Sequence, residues 1–222
     1  MRKLMVTTFV SLDGVMQAPG GPEEDESDGF ALGGWSVNYW DDTMGAYMGD
    51  LFSRPFDLLL GRRTYDIFAS YWPTAPEEAG GKPLNDATKY VASRGTPSLT
   101  WDRSVQIEGD VAEGVARLKQ EDGPELQVHG SSQLIQTLLA HGLIDEFRLW
   151  IFPVAVGKGK RLFGEGTKPT GMALVDTKMS TTGVPMNTYR RSGALQTGSF
   201  AFEKPTDAEI ERRLKMAREA DG

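Results

Sequence analysis

Apolar segments that predict strands alternate with amphipathic segments that predict helices over the first 150 residues of the chain. One of them, FDLLLG at residues 56–61, is almost continuously apolar, as expected for a central strand covered on both faces. After residue 171 the pattern changes to strand-like segments separated by glycine turns, which predicts antiparallel pairing. This order of segments predicts an α/β fold, in which a mixed central sheet is flanked by helices on both faces.

The bounds of the predicted elements follow from apolar periodicity and from breaker residues. Helices are predicted at 39–53, 62–72, 110–121 (with Asp110 as N-cap), 131–141 and 206–222. Strands are predicted at 3–10, 56–61, 89–93, 105–109, 125–130, 145–154, 172–183, 184–193 and 194–205. The segment between the first strand and the first helix is rich in glycine, proline and acids, and we interpret it as a long loop of the functional kind.

Composition excludes several classes of function. The chain of 222 residues suits one hydrophobic core, and it contains no cysteine, which excludes disulfides, thiolate metal sites and a cysteine nucleophile. Its net charge of −7 argues against a nucleic-acid surface, so any phosphate would have to bind in a local pocket. Since no run of about 18 apolar residues predicts a membrane span, we expect a cytoplasmic protein with neither a nucleic-acid nor a membrane partner.

Three strand-to-helix junctions share a chemistry that suits phosphate. They are LLLGRRTY at 58–65, VASRG at 91–95 and VHGSSQL at 128–134. Ligands of open α/β sheets gather at the carboxyl ends of strands, and helix N-termini there attract anions. The arginines of the first two junctions add forked cations. Each junction alone is better explained as a turn that merely caps a helix. Together they favour a dinucleotide with an additional phosphate, although neither a GxGxxG nor a GxxxxGK[ST] motif is present.

Other features each allow a structural and a functional interpretation. Asp13 in SLDG suits a type I turn, or a position at the mouth of the cleft that the three junctions would form. The acids of YWDDTM at 39–44 suit helix capping, or one carboxylate that anchors a ring or relays a proton. Lys158, Lys160 and Arg161 suit a solvated turn, a phosphate contact or a dimer edge. Trp150 and Phe152 suit a core beneath a helix or an apolar dimer face.

Several of these motifs together resemble one family. SLDG, LLLGRRTYDIF, KYVAS, YRR and above all the stretch from Leu126 to Phe163 are similar to the reductase domains related to dihydrofolate reductase. The best-known member is the C-terminal reductase domain of the bifunctional deaminase–reductase of riboflavin biosynthesis. The resemblance covers residues 2–191. It implies a dihydrofolate reductase-like mixed sheet, NADPH as hydride donor, a homodimer, and a reductase domain at 1–205 followed by a helical appendage at 206–222.

The resemblance also implies a set of site residues. The adenosine side of NADPH with its 2′-phosphate would contact Gly61, Arg62, Arg63, Thr64, Ser93 and Arg94, and the pyrophosphate would contact Gly130, Ser131, Ser132, Gln133 and Leu134. The nicotinamide would lie near Val15 and Gln17, beneath a loop at 14–34 that closes. Asp42, or else Asp13, would orient the substrate ring or relay a proton. The family often has two glycines where this chain has Gly130 and Ser131.

The function implied by the resemblance is reduction of a small heterocyclic substrate, as in the 5-amino-6-(5-phosphoribosylamino)uracil reductase step of riboflavin biosynthesis. Dihydrofolate is the second substrate to consider. The alternative from another class is a non-catalytic protein of the same fold that binds a nucleotide or a flavin-like ligand.

Overall fold

The computed structural model describes residues 1–201 and 203–220. Over these residues the helices are α1 (Asp42–Phe52), α2 (Arg62–Tyr71), α3 (Lys82–Asp86), α4 (Val111–Gln120), α5 (Ser132–Ala140) and α6 (Asp207–Ala220). The strands are β1 (Leu4–Ser11), β2 (Phe56–Gly61), β3 (Lys89–Ala92), β4 (Ser104–Gln106), β5 (Glu125–His129), β6 (Glu146–Phe152), β7 (Gly171–Met179) and β8 (Pro185–Gly193).

The strands form a single mixed sheet in the order β4-β3-β2-β5-β1-β6-β8-β7. The first six strands are mutually parallel, whereas β8 runs antiparallel to both β6 and β7. The change from parallel to antiparallel pairing follows the change in the sequence from alternating helices and strands to strands joined by a glycine turn. The predicted α/β fold with a mixed central sheet is therefore confirmed.

Helices cover both faces of the sheet. Ile135 and Leu138 of α5 belong to one core cluster with Phe147 of β6, whereas Met44 of α1 packs with Trp150 of the same strand. Because residues three apart on a strand point to opposite faces, α1 and α5 lie on opposite sides of the sheet. Burial on both faces explains why β2 is a continuous apolar run.

The strand β6 resolves an alternative left open by the sequence. Trp150 and Phe152 are both fully buried, in a cluster with Met44 and Tyr47 of α1. They are core residues beneath a helix and do not form a dimer face. Alternate side chains of β6 point to opposite sides of the strand, and a helix covers each side.

Two sequence predictions are corrected towards the C-terminus of the chain. The strand predicted at 194–205 is wrong, because β8 ends at Gly193 and the described residues beyond it, 194–201 and 203–205, contain no strand. Since β8 already pairs with β6 on one side and β7 on the other, neither of its edges is open to a further strand. The charged helix predicted at 206–222 appears as α6, of whose described residues none is buried. Phe202 and residues 221–222 lie outside the described residues.

The predicted helix at 39–53 begins three residues later than expected. Asp41 has extended backbone angles, and its Oδ1 accepts a hydrogen bond of 2.8 Å from the backbone N–H of Met44. It is therefore the N-cap of α1. Its Oδ2 accepts from the backbone N–H and the hydroxyl of Thr181, each at 2.6 Å, which attaches the turn between β7 and β8 to the start of the helix.

No helix among the described residues is long and apolar enough to cross a bilayer.

Candidate functional site: a cleft at the carboxyl edge of the sheet

The topology of the sheet creates a crevice beside β5. This strand lies between β2 and β1. The connection after β1 runs through α1 on one face, and the connection after β5 runs through α5 on the other. Where neighbouring strands send their connections to opposite faces, a crevice opens at their carboxyl ends, and this is where open α/β sheets bind ligands.

A cleft of about 2080 Å³ occupies this position. It runs from the ends of β3 and β2 past β5 to β1, and α1 and the loop after β1 form its walls. All of the predicted coenzyme residues except Val15 line it: Gln17, Gly61, Arg62, Arg63, Thr64, Ser93, Arg94, Gly130, Ser131, Ser132, Gln133 and Leu134. The three junctions singled out in the sequence therefore meet at one cavity.

The junction before α5 has an unusual backbone. Gly130 and Ser131 both adopt left-handed angles, with φ of 65° and 61°. This conformation is natural for glycine and costs a serine on the order of 1 kcal/mol. The Ser131 hydroxyl oxygen accepts a hydrogen bond of 2.9 Å from the backbone N–H of Gly61, so the strained residue joins two of the three junctions. A serine here thus keeps the backbone geometry expected of a second glycine.

Helix capping differs among the helices that border the cleft. Asp41 caps α1, and Asp110 caps α4 by accepting from the N–H of Glu113 at 3.0 Å, as the sequence predicted for Asp110. Among the described residues, no side chain caps the N-terminus of α2 or of α5. Both of these helices begin at the cleft, so their free N–H groups and the positive ends of their dipoles are available to an anion there.

Three of the cations at the cleft, Arg62, Arg63 and Lys160, are held by acids of the loop and of α2. Arg63 donates hydrogen bonds to Asp25 and to the Ser27 hydroxyl at 2.6 and 2.5 Å, and Lys160 donates to the same two groups at 2.6 Å. Arg62 pairs with Asp66 one turn along its helix. Burial raises the pKa of Asp25, but the hydrogen bonds from Lys160 and Ser27 outweigh it and keep that pKa below its usual value.

Gln17 and Val15 hold the loop after β1. The side-chain amide of Gln17 donates to the carbonyl oxygens of Asp25 and Ser27 at 3.0 Å, and its oxygen accepts from the backbone N–H of Lys160 at 3.0 Å. Val15 is fully buried with Phe30 and lies behind the cleft lining. Both residues therefore shape the wall of the cleft from within the loop.

The structure places neither of the two predicted catalytic acids in the cleft. Asp13 accepts hydrogen bonds from the Ser11 hydroxyl at 2.6 Å and from the backbone N–H groups of Val156 and Gly157 at 2.9 and 2.7 Å. These bonds, that of Ser11 first, lower the pKa of Asp13 to about 2, so it is a poor proton donor at neutral pH. Asp42 is exposed on the first turn of α1 and lies outside the cleft lining.

Sequence reasoning missed His129, the last residue of β5. Its ring lines the cleft, and its Nε2 lies 2.9 Å from the side-chain oxygen of Gln127. The amide nitrogen of Gln127 donates to Glu125 at 2.6 Å, and Glu125 accepts from Arg148 of β6 at 3.0 Å. The sequence feature that could have indicated His129 is the run of polar residues at alternate positions of an otherwise buried strand, Glu125, Gln127 and His129, in a chain with two histidines.

Burial and, secondarily, the charge of Arg148 lower the pKa of His129 from 6.5 to about 4. Between these two values the unfolded chain binds a proton that the folded chain does not. The stabilising contribution of the neutral ring is therefore complete above about pH 6.5 and is lost as the pH falls towards 4. The free energy of unfolding of the wild type should fall between pH 7 and pH 5, and His129→Gln should make that fall smaller by about 1 kcal/mol. The effect is no larger because the cleft hydrates part of the ring.

Urea unfolding of His129→Gln at these two pH values measures this contribution. His141→Gln is the matched control, because His141 is exposed at the end of α5. The control should retain the full acid dependence of the wild type. The same pH dependence in His129→Gln as in the wild type would show that the ring protonates freely in the folded protein.

A family model described as the RibD C-terminal domain matches residues 2–186. The uncharacterized protein YyaP of Bacillus subtilis (strain 168) is 29% identical over 196 residues, which cover 86% of this chain and 96% of that protein.

Two solved structures have the same fold. One is the "Putative riboflavin biosynthesis protein" of Shewanella sp. PV-4, with a TM-score of 0.61 at 22% identity and coverage of 86% of this chain and 99% of that one. The other is the dihydrofolate reductase of Enterococcus faecalis complexed with NADP(H), with a TM-score of 0.54 at 16% identity and coverage of 86% and 96%. At these identities the likeness is one of fold alone, and it confirms the expected dihydrofolate reductase-like fold.

Proposed function

Since the chain belongs to the RibD C-terminal domain family, we propose that it is an NADPH-dependent reductase that transfers a hydride to a small heterocyclic substrate. The relative solved with NADP(H) supports the choice of coenzyme by fold. The first substrate to test is 5-amino-6-(5-phosphoribosylamino)uracil, and the second is dihydrofolate.

One observation carries the proposal: two helices without side-chain caps begin at the same cleft, beside three arginines. In the proposed complex the pyrophosphate accepts hydrogen bonds from the N–H groups that open α5. The 2′-phosphate lies at the start of α2, where Arg62, Arg63 and Arg94 line the cleft. Gly130, which has no side chain, allows the phosphate to approach the backbone closely.

The protein contributes positioning and exclusion of water. When bound, NADPH supplies the hydride, which the substrate accepts at the carbon of a C=N or C=O group, while the heteroatom takes a proton. The cleft holds the two reactants in contact, which replaces an encounter in solution by a pre-oriented pair. The loop at 14–34, pinned by Gln17, Lys160 and Asp25, covers the reacting atoms.

Titration with NADPH and NADH tests the placement of the 2′-phosphate. We expect Arg62→Ala to weaken NADPH binding by about 10- to 100-fold and NADH binding by less than about 3-fold, because a charged hydrogen bond to that phosphate is lost. Arg117→Ala is the control, since Arg117 is exposed on α4 and lies outside the cleft lining. Equal losses for both coenzymes would remove this role from Arg62.

Consumption of NADPH with each candidate substrate separates the enzyme from the non-catalytic alternative. Turnover with one of them supports the reductase. Tight NADPH binding with no turnover on any of them favours a ligand-binding protein of the same fold.

We further propose a cytoplasmic homodimer. Its contact would involve β7, the strand at the edge of the sheet, where Leu174 and Met179 are 54% and 61% exposed. Sedimentation equilibrium with Leu174→Glu tests this, since a charge in the contact should shift a dimer to monomer. A wild-type protein that sediments as a monomer would contradict it.

A further inference from the structure

Resting on the proposed function, we propose that Asp25 is a built-in competitor for a phosphate group of the ligand. In this structure its carboxylate occupies a phosphate cradle, which is formed by Arg63, Lys160 and Ser27. A phosphate group that enters the cleft replaces the carboxylate, and the Asp25 side chain then turns towards solvent. Asp25 therefore sets how tightly the cleft binds phosphate.

Four donor groups converge on the Asp25 carboxylate. Its Oδ1 accepts hydrogen bonds from Arg63 and from the Ser27 hydroxyl at 2.6 Å, and from the Ser27 backbone N–H at 3.2 Å. Its Oδ2 accepts from Nζ of Lys160 at 2.6 Å. The donors belong to α2, to the loop at 14–34 and to the segment after β6, so three separate parts of the chain meet around one anion. Charged and backbone donors that converge in this way suit phosphate oxygens.

The group that fills the cradle is an anion. Burial raises the pKa of Asp25, but the hydrogen bonds from Lys160 and Ser27 keep it below its usual value, so the carboxyl group is ionised at neutral pH. Carboxylate and phosphate oxygens accept the same kinds of charge-assisted hydrogen bond. The carboxylate therefore holds the position that a phosphate group would take.

The charges of the cradle favour the exchange. Arg63 and Lys160 face one carboxylate, and in the described part of the chain neither of them pairs with a second acid. A phosphate monoester carries between about 1.5 and 2 negative charges near pH 7. It would compensate both cations, whereas Asp25 compensates one.

The cradle is open to the cleft. Asp25, Arg63 and Lys160 all line the cavity. The Arg63 side chain is 51% exposed, whereas that of Asp25 is 13% exposed. A ligand in the cleft can therefore reach the guanidinium group first and then displace the carboxylate.

Gln17 keeps the donors in place while the carboxylate leaves. Its amide nitrogen donates to the carbonyl oxygens of Asp25 and Ser27, and its oxygen accepts from the backbone N–H of Lys160, each at 3.0 Å. Gln17 itself is buried. The exchange consequently needs only rotation about the side-chain torsions of Asp25, and the backbone of the loop stays where it is. A cradle whose donors are already positioned binds its ligand at a smaller entropic cost.

Isothermal titration of the wild type and of Asp25→Asn with NADPH tests the proposal. Asparagine keeps the shape of aspartate without its charge, so it competes weakly for the cradle. We expect NADPH to bind Asp25→Asn about 10-fold more tightly, which corresponds to a wild-type cradle that is vacant about one-tenth of the time. Glu23→Gln is the matched control, since it removes the same charge from an exposed position on the same loop. It should change the affinity by less than about 2-fold, because exposed charges are screened.

D-ribose 5-phosphate, titrated in the presence of excess NADPH, distinguishes the source of the phosphate group. Tighter binding of NADPH to Asp25→Asn assigns the cradle to the coenzyme, and tighter binding of ribose 5-phosphate alone assigns it to a phosphorylated substrate. Either result supports the proposal. Lys160→Met should weaken the binding of that same ligand by about 10-fold, because one charge-assisted hydrogen bond is lost.

The two proposals fail in distinguishable ways. Absence of NADPH binding to the wild type would contradict the proposed function, and ribose 5-phosphate would still test the cradle. NADPH binding to the wild type, with neither ligand bound more tightly by Asp25→Asn, would overturn this inference alone and make Asp25 a structural contact of the loop. An equal gain in Glu23→Gln would show a general effect of charge and would equally overturn it.

Discussion

Replacing Trp150 by alanine is expected to destabilise the protein by about 3–5 kcal/mol, the range for removing a large buried aromatic side chain. The indole is fully buried and packs against Phe9, Trp40 and Tyr47 at ring-centre distances of 5.1, 5.9 and 5.6 Å. The cavity would open beneath α1 and the wall of the cleft. Urea unfolding monitored by circular dichroism measures the loss.

Trp150→Phe is the matched control. The indole N–H of Trp150 is buried and has no hydrogen-bond partner within residues 1–201 and 203–220. Phenylalanine removes that unsatisfied group, which offsets part of the lost packing, and we expect a cost of at most about 1.5 kcal/mol. A similar large loss in both variants would show that the N–H group is satisfied in the folded protein.

Ser132→Asp is expected to change coenzyme affinity and stability in opposite directions. Ser132 is the first residue of α5, and within the described residues no side chain caps this helix. A carboxylate there interacts favourably with the helix dipole, so the free energy of unfolding should rise by about 0.3–1 kcal/mol. The same charge would repel a pyrophosphate a few ångströms away by about 2–4 kcal/mol, which corresponds to a loss of NADPH affinity on the order of 100-fold.

Ser132→Asn controls for size, because asparagine has the shape of aspartate without its charge. It should bind NADPH within about 5-fold of the wild type, since the backbone N–H groups remain available. Isothermal titration and thermal unfolding of the two variants give both quantities. An aspartate variant that binds NADPH as tightly as the asparagine variant would place the phosphates away from α5.

The sequence was sufficient for the parts of the fold that depend on local patterns. The continuous apolar run of β2, the capping aspartate of α4 and the glycine junction before α5 were each identified from neighbouring residues, and the structure confirms the elements. The three phosphate-type junctions were predicted to meet because parallel strands share one carboxyl edge. This reasoning needs the order of the elements but no side-chain contacts.

The remaining features depend on contacts between residues far apart in the chain. Whether Asp41 or Asp42 caps α1 is decided by the backbone at one position and by Thr181, 140 residues away. Asp13 is occupied by backbone N–H groups at 156 and 157, which no local pattern indicates. His129 lies in the cleft lining beside Thr7 because of the register between β1 and β5, which no local pattern indicates. The extra strand predicted at 194–205 had the right composition, but β8, the strand that it follows, is already paired on both sides.

A crystal structure of the protein grown with saturating NADPH tests the central claim most directly. We expect the pyrophosphate oxygens within hydrogen-bond distance of the backbone N–H groups at the start of α5, and the 2′-phosphate beside Arg62 and Arg63, with the Asp25 contact of Arg63 rearranged. Nucleotide bound at another surface, or an unliganded cleft at a coenzyme concentration well above the measured Kd, would contradict it.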